Sequence, residues 1–143
     1  MYRASIRATV DRVFTPETLN NLVGKAILWV DDMAANNELA VRALKKFGLD
    51  IEQATSTERA MAAFQRRKCD LVISDMGRGD DMRAGYGLLK LLGDSGSKLP
   101  FFLFAGSDTP EFRREAAERS AQLSTNDMLE LVDEVAKYLG RTS

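Results

Sequence analysis

The chain of 143 residues contains no histidine and only one cysteine, and both shortages narrow its chemistry. Without histidine, neither a Ser-His-Asp nor a Cys-His nucleophile can form, and no imidazole is available to bind a metal. The single thiol, Cys69, cannot form an intramolecular disulfide, and its place just before an apolar run favours a packing role over a reactive one. Carboxylates, hydroxyls, amines and backbone groups are the chemistry that remains.

Long apolar runs and a strong net charge are also missing. No stretch approaches the roughly 18 residues of a membrane span, and residues 1–14 lack the apolar centre of a secretory signal, so we expect a cytoplasmic protein with no membrane partner. A net charge of −1 provides no general attraction to nucleic acid. The content of 45% apolar and 29% charged residues is typical of one globular domain.

Short apolar runs alternate with amphipathic segments along most of the chain. The runs predict strands at 26–30, 51–54, 71–74, 101–105 and, very briefly, 122–123, and the amphipathic segments predict helices at about 34–47, 55–67, 86–92, 109–120 and 127–139. Five such β-α units favour an α/β fold with a doubly wound parallel sheet, in an order such as 2-1-3-4-5. The predicted inner faces include Leu39 and Ala43 on one helix and Leu91 on another.

The first 24 residues lie before this alternation. Residues 1–14 mix basic and apolar residues in a pattern that suits either a short amphipathic helix or a linker. Thr15 and Pro16 then form a helix-start signature. We therefore predict an N-terminal extension at 1–24 and the main domain at 25–143, and the sequence leaves the role of the extension open.

Acidic residues follow two of the predicted strands. Asp31 and Asp32 end the first strand and Asp75 ends the third, so the order 2-1-3-4-5 brings them together at the switch point of the sheet. Three close carboxylates repel one another unless a cation lies among them, and oxygen ligands without His or Cys select Mg²⁺ or Mn²⁺. Such a site suits phosphate chemistry, in which one carboxylate becomes an acyl phosphate. The alternative is that these acids only cap helices, above all Asp32.

The residues around these acids resemble the receiver domain of two-component response regulators. The resemblance rests on residues 27–32, on residues 70–76 and on Gly85 leading into a Leu-Leu pair, and it covers about 25–140. It implies a flavodoxin-like (βα)5 fold, Mg²⁺ held by Asp31 and Asp32, and Asp75 as acceptor of a phosphoryl group from a histidine kinase or phosphotransfer protein. It also implies metal binding by Asp75 and by the backbone carbonyl of Gly77, and no enzymatic activity beyond phosphorylation and dephosphorylation of Asp75.

Two expected groups are missing from this pattern. Ala105 stands where the family usually has Thr or Ser, whose hydroxyl bonds the phosphoryl group. Ser124, Thr125 and Asn126 stand where the family has a lysine, commonly followed by proline, and Leu123 replaces an aromatic switch residue. The sequence therefore identifies the phosphoacceptor more firmly than the switch that reports its state.

Other side chains are candidates for the missing contacts. The guanidinium of Arg78 and the hydroxyls of Ser107 and of residues 124 and 125 can bind phosphate oxygens. The alternative for Arg78 is that it balances Asp80 and Asp81 in a solvated loop. For residues 124 and 125 the alternative is a helix cap.

Three hypotheses follow for the function. The first is a phosphorylated receiver that acts through a separate downstream protein or a parent-chain domain. The second is a pseudo-receiver, a protein-interaction module that needs no phosphorylation. The third is an enzyme such as a phosphatase with an aspartyl phosphate intermediate, but phosphatases of the haloacid dehalogenase type carry an acid where Gly77 stands. A flavin-binding role for the same fold is also disfavoured, because Asp31 and Asp32 would repel the phosphate of the flavin. The oligomeric state stays open, including a homodimer.

Overall fold

The computed structural model describes residues 15–105 and 109–140. The expectations for residues 1–14 and for Ser107 therefore fall outside the described residues. The strands are β1 (Ala26–Val30), β2 (Asp50–Ala54), β3 (Leu71–Ser74), β4 (Phe101–Phe104) and β5 (Leu123–Thr125). The helices are α1 (Pro16–Leu22), α2 (Glu38–Lys46, after a 3-10 turn at Ala34–Asn37), α3 (Thr57–Arg66), α4 (Ala84–Asp94), α5 (Pro110–Glu118) and α6 (Met128–Leu139).

All five strands are parallel and form one sheet in the order β2-β1-β3-β4-β5. This confirms the predicted doubly wound α/β fold. Every residue of β1 and β3 is buried, which is typical of parallel strands covered on both faces. Apolar side chains of β1 alternate between the two faces: Trp29 packs with α1, α2 and α6, whereas Leu28 packs with α3, α4 and α5. The sheet therefore lies between two helical layers.

Helix α1 lies beside α6 in the same helical layer of the fold. Thr15 caps it, since its Oγ1 accepts a hydrogen bond from the backbone N–H of Thr18 at 3.2 Å. Leu22 is fully buried in the core cluster, and the Asn21 side-chain amide donates to the Gly140 carbonyl oxygen at 2.9 Å. Helix α1, which precedes residue 25, thus contributes to the core, and the domain boundary at that residue stays a prediction.

Two predicted helix faces are wrong at individual residues. Leu39 is 80% exposed and Ala43 is also exposed, whereas Ala40 and Leu44 of the same predicted face are buried together with Val41, which the prediction left out. Leu91 is 44% exposed on α4. The other apolar positions predicted on α4 are buried or half-buried.

Several boundaries also differ from the sequence predictions. Helix α4 begins at Ala84 rather than at 86, and it extends to Asp94 through a segment predicted to be a loop. Strand β5 extends to Thr125, because it pairs with β4 along the edge of the sheet. Helix α3 begins after Ser56, whose Oγ accepts from the Arg59 N–H at 3.1 Å. No helix within 15–105 or 109–140 is long and apolar enough to cross a membrane.

Candidate functional site

Three carboxylates meet at the carboxyl ends of β1 and β3. The register pairs Val30 with Ser74, so Asp31 and Asp75 follow directly at the same level of neighbouring strands. One oxygen each from Asp31, Asp32 and Asp75 lies within 4.8 Å of the others. The switch point predicted from the strand order therefore does bring these acids together.

Each carboxylate is oriented by local hydrogen bonds. The two oxygens of Asp31 accept from the Met33 N–H and from the Asn37 side-chain amide, both at 2.8 Å. Asp32 is exposed, and its Oδ2 accepts from the Gly79 N–H at 3.1 Å across the site. Neither acid is the N-cap of a helix, since the turn that follows begins after Met33 and α2 begins after Asn37. The capping interpretation of Asp32 is therefore wrong.

Asp75 is the buried member of the cluster, at 8% exposure. Its Oδ1 forms an ion pair with the guanidinium of Arg78, and its Oδ2 faces the backbone N–H of Asp32 at 3.4 Å. Burial raises the pKa of Asp75 to about 6, while Arg78 lowers this pKa and the nearby charge of Asp31 raises it. The desolvation of this carboxylate thus outweighs the attraction of its cationic partner.

Arg78 is not a solvated loop residue that balances the charges of Asp80 and Asp81, so that interpretation is wrong. The residue is 9% exposed, and its guanidinium contacts four oxygens. Besides Asp75, it donates to Ser74 Oγ at 3.1 Å, to Thr57 Oγ1 at 2.6 Å and to the Ala84 carbonyl oxygen at 3.2 Å. A buried guanidinium is stable here because each acceptor satisfies part of its donor fork.

The partners of Arg78 were not recognised from the sequence. Thr57 lies within the helix predicted at 55–67, where the sequence gives no sign of a contact with the acid cluster, whereas in the structure its hydroxyl accepts from Arg78 and Ser56 caps the helix. Ser74 resembled an ordinary strand residue, but its buried hydroxyl accepts from Arg78 and donates to the Asp75 carbonyl oxygen at 2.8 Å. The only sequence feature that pointed to such a contact is the position of the Ser74 hydroxyl directly before Asp75 at the end of the strand.

Gly85 lets α4 pass directly behind the phosphoacceptor candidate. A Cβ at this position would overlap the Asp75 carbonyl oxygen and lie 2.9 Å from Leu103 Cδ2. The Gly85 N–H donates to the Met76 carbonyl oxygen at 2.8 Å, which ties the start of α4 to the end of β3. The glycine of the sequence motif is therefore explained by close backbone approach.

The candidates on β4 and β5 lie farther along the sheet. Ala105 follows β4, and its N–H donates to the Thr125 carbonyl oxygen at 3.0 Å. Ser124 and Thr125 are buried in β5, two strands from β3, and Asn126 is exposed beyond it. Thr125 Oγ1 accepts from the N–H of Asp127, and Asp127 is the N-cap of α6. The helix-cap prediction is therefore wrong for both Ser124 and Thr125, which lie in β5 before the capping residue.

The donor set fits a hard divalent cation. It consists of carboxylate oxygens from Asp31, Asp32 and Asp75, and the backbone carbonyl of exposed Gly77 is the further predicted ligand. Such a set suits Mg²⁺ or Mn²⁺ rather than zinc. Cys69 is buried beside β3, and burial raises the pKa of its thiol, which agrees with a packing role.

The protein is thus a doubly wound α/β domain whose acid cluster lies at the switch point of the sheet, where this class of fold binds its ligands. Residues 27–129 match the family model of the response regulator receiver domain. The chain belongs to the response regulator receiver domain family, whose members are generally signalling modules rather than enzymes.

Solved structures of similar fold agree with this assignment. The chain is 19% identical to the chemotaxis response regulator CheY4 of Vibrio cholerae, with a TM-score of 0.65 over 78% of this chain and 98% of that one. It is 19% identical to a two-component response regulator from Clostridium difficile, with a TM-score of 0.72 over 82% and 97%. It is 20% identical to the non-phosphorylated HemR receiver domain from Leptospira biflexa, with a TM-score of 0.71 over 83% and 97%. At these identities, the similarity is one of fold.

Proposed function

We propose that this receiver domain accepts a phosphoryl group on Asp75 from a histidine kinase or phosphotransfer protein, with Mg²⁺ bound by Asp31, Asp32, Asp75 and the Gly77 carbonyl. The observation that carries the proposal is the convergence of three carboxylate oxygens within 4.8 Å at the carboxyl end of the sheet. A cation bound among these carboxylates would relieve the repulsion between like charges at this distance.

The transfer needs Asp75 as its nucleophile. One Asp75 oxygen attacks phosphorus, a P–O bond forms, and the bond from phosphorus to the donor breaks with its electron pair staying on the donor's leaving group. The bound metal would neutralise charge on the phosphoryl oxygens. Arg78 is fixed beside Asp75 and can donate to those oxygens, which is the contact that the family obtains from lysine. The chain has no lysine between Lys98 and Lys137.

Phosphorylation is tested with acetyl phosphate and Mg²⁺, followed by intact mass measurement. Wild type should gain one phosphate, and Asp75→Asn should gain none. Asp94→Asn is the matched control, because Asp94 is an exposed acid on α4 that pairs with Lys90 away from the cluster. A phosphorylated histidine kinase should transfer its phosphoryl group to wild type and to Asp94→Asn but not to Asp75→Asn. If wild type stays unmodified with both donors, the proposal fails.

The second candidate is a pseudo-receiver that binds a partner without phosphorylation. The observation in its favour is the ion pair between Asp75 and Arg78, which offsets part of the cost of burying the carboxylate without any metal. Ala105 also offers no hydroxyl to a phosphoryl group. In this case a protein partner would bind wild type and Asp75→Asn equally, and Mg²⁺ affinity would be weak. Unequal partner binding would exclude it.

A further inference from the structure

We infer that Arg78 is a positioning residue that couples the charge on Asp75 to the first turns of helices α3 and α4. This inference deepens the proposed function and, where it concerns phosphorylated Asp75, rests on it. On this inference, a change of charge at Asp75 alters the structure on the side of the sheet that α3 and α4 cover.

The coupling begins with the contacts of one guanidinium. Nη1 of Arg78 reaches Asp75 and Ser74, whereas Nη2 reaches Thr57 Oγ1 and the Ala84 carbonyl oxygen. Thr57 and Ala84 are the first residues of α3 and α4. A single rigid, planar group therefore joins the phosphoacceptor candidate to the beginnings of two helices.

The rigidity of this group makes its contacts interdependent. The Arg78 side chain is 7% exposed and the Asp75 side chain is 11% exposed, so water competes little for their donors and acceptors. A change of charge or shape at Asp75 shifts the preferred position of Nη1. Because both nitrogens belong to one plane, the same shift lengthens or shortens the bonds of Nη2 to α3 and α4.

Helix α4 is especially sensitive at its start. Its N-cap is Arg83, whose side chain makes no capping hydrogen bond. The bond from Arg78 to the Ala84 carbonyl oxygen and the bond from the Gly85 N–H to the Met76 carbonyl oxygen hold this turn to β3. A displaced guanidinium removes one of these two ties.

On the opposite side, the described residues at the ends of β4 and β5 show no comparable bridge to Asp75. Ala105 has no side-chain donor, and Thr125 Oγ1 accepts from the Asp127 N–H at the start of α6. Arg78 instead contacts Asp75 directly. The described contacts thus favour a response at α3 and α4.

Amide hydrogen exchange tests this coupling without phosphorylation. Asp75→Asn removes the charge that holds Arg78, and we expect roughly tenfold faster exchange in the first turns of α3 and α4 than in wild type. Asp31→Asn is the matched control, since it neutralises a carboxylate of the same cluster that contacts Met33 and Asn37 instead. Its effect should be confined to the turn before α2.

Two further variants separate a specific link from general loosening. In a Thr57→Val background, Asp75→Asn should no longer change exchange in α3 but should still change it in α4. Arg78→Lys keeps the charge and loses the planar fork, so it should uncouple both helices from Asp75 while the protein stays folded by circular dichroism. If Asp75→Asn still speeds exchange in α3 in the Thr57→Val background, as much as it does in wild type, the inference is wrong.

The same measurement with acetyl phosphate and Mg²⁺ extends the test to the phosphorylated state. If wild type gains phosphate and exchange changes only beyond β4, the coupling through Arg78 is wrong and the proposed function stands. If wild type gains no phosphate from acetyl phosphate or from the phosphorylated histidine kinase, the proposed function fails. The comparison of Asp75→Asn with Asp31→Asn then still decides whether Arg78 couples Asp75 to the helices.

Discussion

Asp75 and Arg78 form a buried ion pair, and its energetics depend on pH. Burial raises the pKa of Asp75 from its ordinary value of 3.8 to about 6, so the folded protein binds a proton more tightly than the unfolded chain does. The stability associated with this proton is complete below about pH 4 and is lost as the pH rises through about 6. Ionised Asp75 therefore destabilises the metal-free fold at neutral pH.

The pH dependence of unfolding provides a direct measurement of this effect. In chelator, the free energy of unfolding of Asp75→Asn relative to wild type should increase between pH 4 and 7, by at most about 3 kcal/mol for this shift in pKa. Asp94→Asn should follow wild type, because Asp94 is exposed. A constant difference between Asp75→Asn and wild type over this range would contradict the prediction.

Gly85 is a second single residue on which the site depends. Gly85→Ala forces a Cβ against the Asp75 carbonyl oxygen, so α4 or the end of β3 must move, and we expect a loss of about 1–3 kcal/mol in urea unfolding. Gly87→Ala is the matched control on the same helix, because its Cβ would meet no atom within 4 Å. That variant should be neutral or more stable by up to about 1 kcal/mol. Equal effects of the two variants would exclude the steric explanation.

At the scale of elements, α1 extends the helical layer that contains α6. Leu22 is fully buried, so Leu22→Ala should lower the free energy of unfolding by about 2–5 kcal/mol. Leu39→Ala is the same substitution at a site that is 80% exposed on α2, and it should change stability by no more than about 0.5 kcal/mol. If Leu22→Ala proves as mild as Leu39→Ala, α1 is an appendage rather than part of the core.

At the scale of the whole molecule, the acid cluster should link metal binding to stability. The proposed Mg²⁺ site forms only in the folded protein, so on this proposal a concentration one hundredfold above the dissociation constant should stabilise the protein by about 2.7 kcal/mol. The midpoint temperature of thermal unfolding should therefore rise when Mg²⁺ is added and return to its original value when a chelator removes the ion. The shift should be lost in Asp31→Asn and retained in Asp94→Asn. A shift of equal size in both variants would indicate general screening of charge.

The sequence was sufficient for the architecture because the fold depends on short-range patterns. Apolar runs such as 26–30 and 71–74 can be buried on both faces only in a parallel sheet, and the acids that follow them must lie at one edge of it. Helix faces were less certain. Leu39 fits an amphipathic pattern, but Ala40, Val41 and Leu44 are the residues of α2 that are buried, and which of two overlapping apolar stripes is buried depends on the layer against which the helix packs.

What the sequence by itself determined is the (βα)5 order, the convergence of Asp31, Asp32 and Asp75, and the absence of histidine chemistry. The tertiary structure decided which partners those acids have. Arg78 lies in a loop of glycines and charges, where sequence alone favours solvent exposure. Its burial depends on Thr57, Ser74 and Ala84, which reach it from three separate elements, and contacts between distant segments exist only once the sheet and helices have packed.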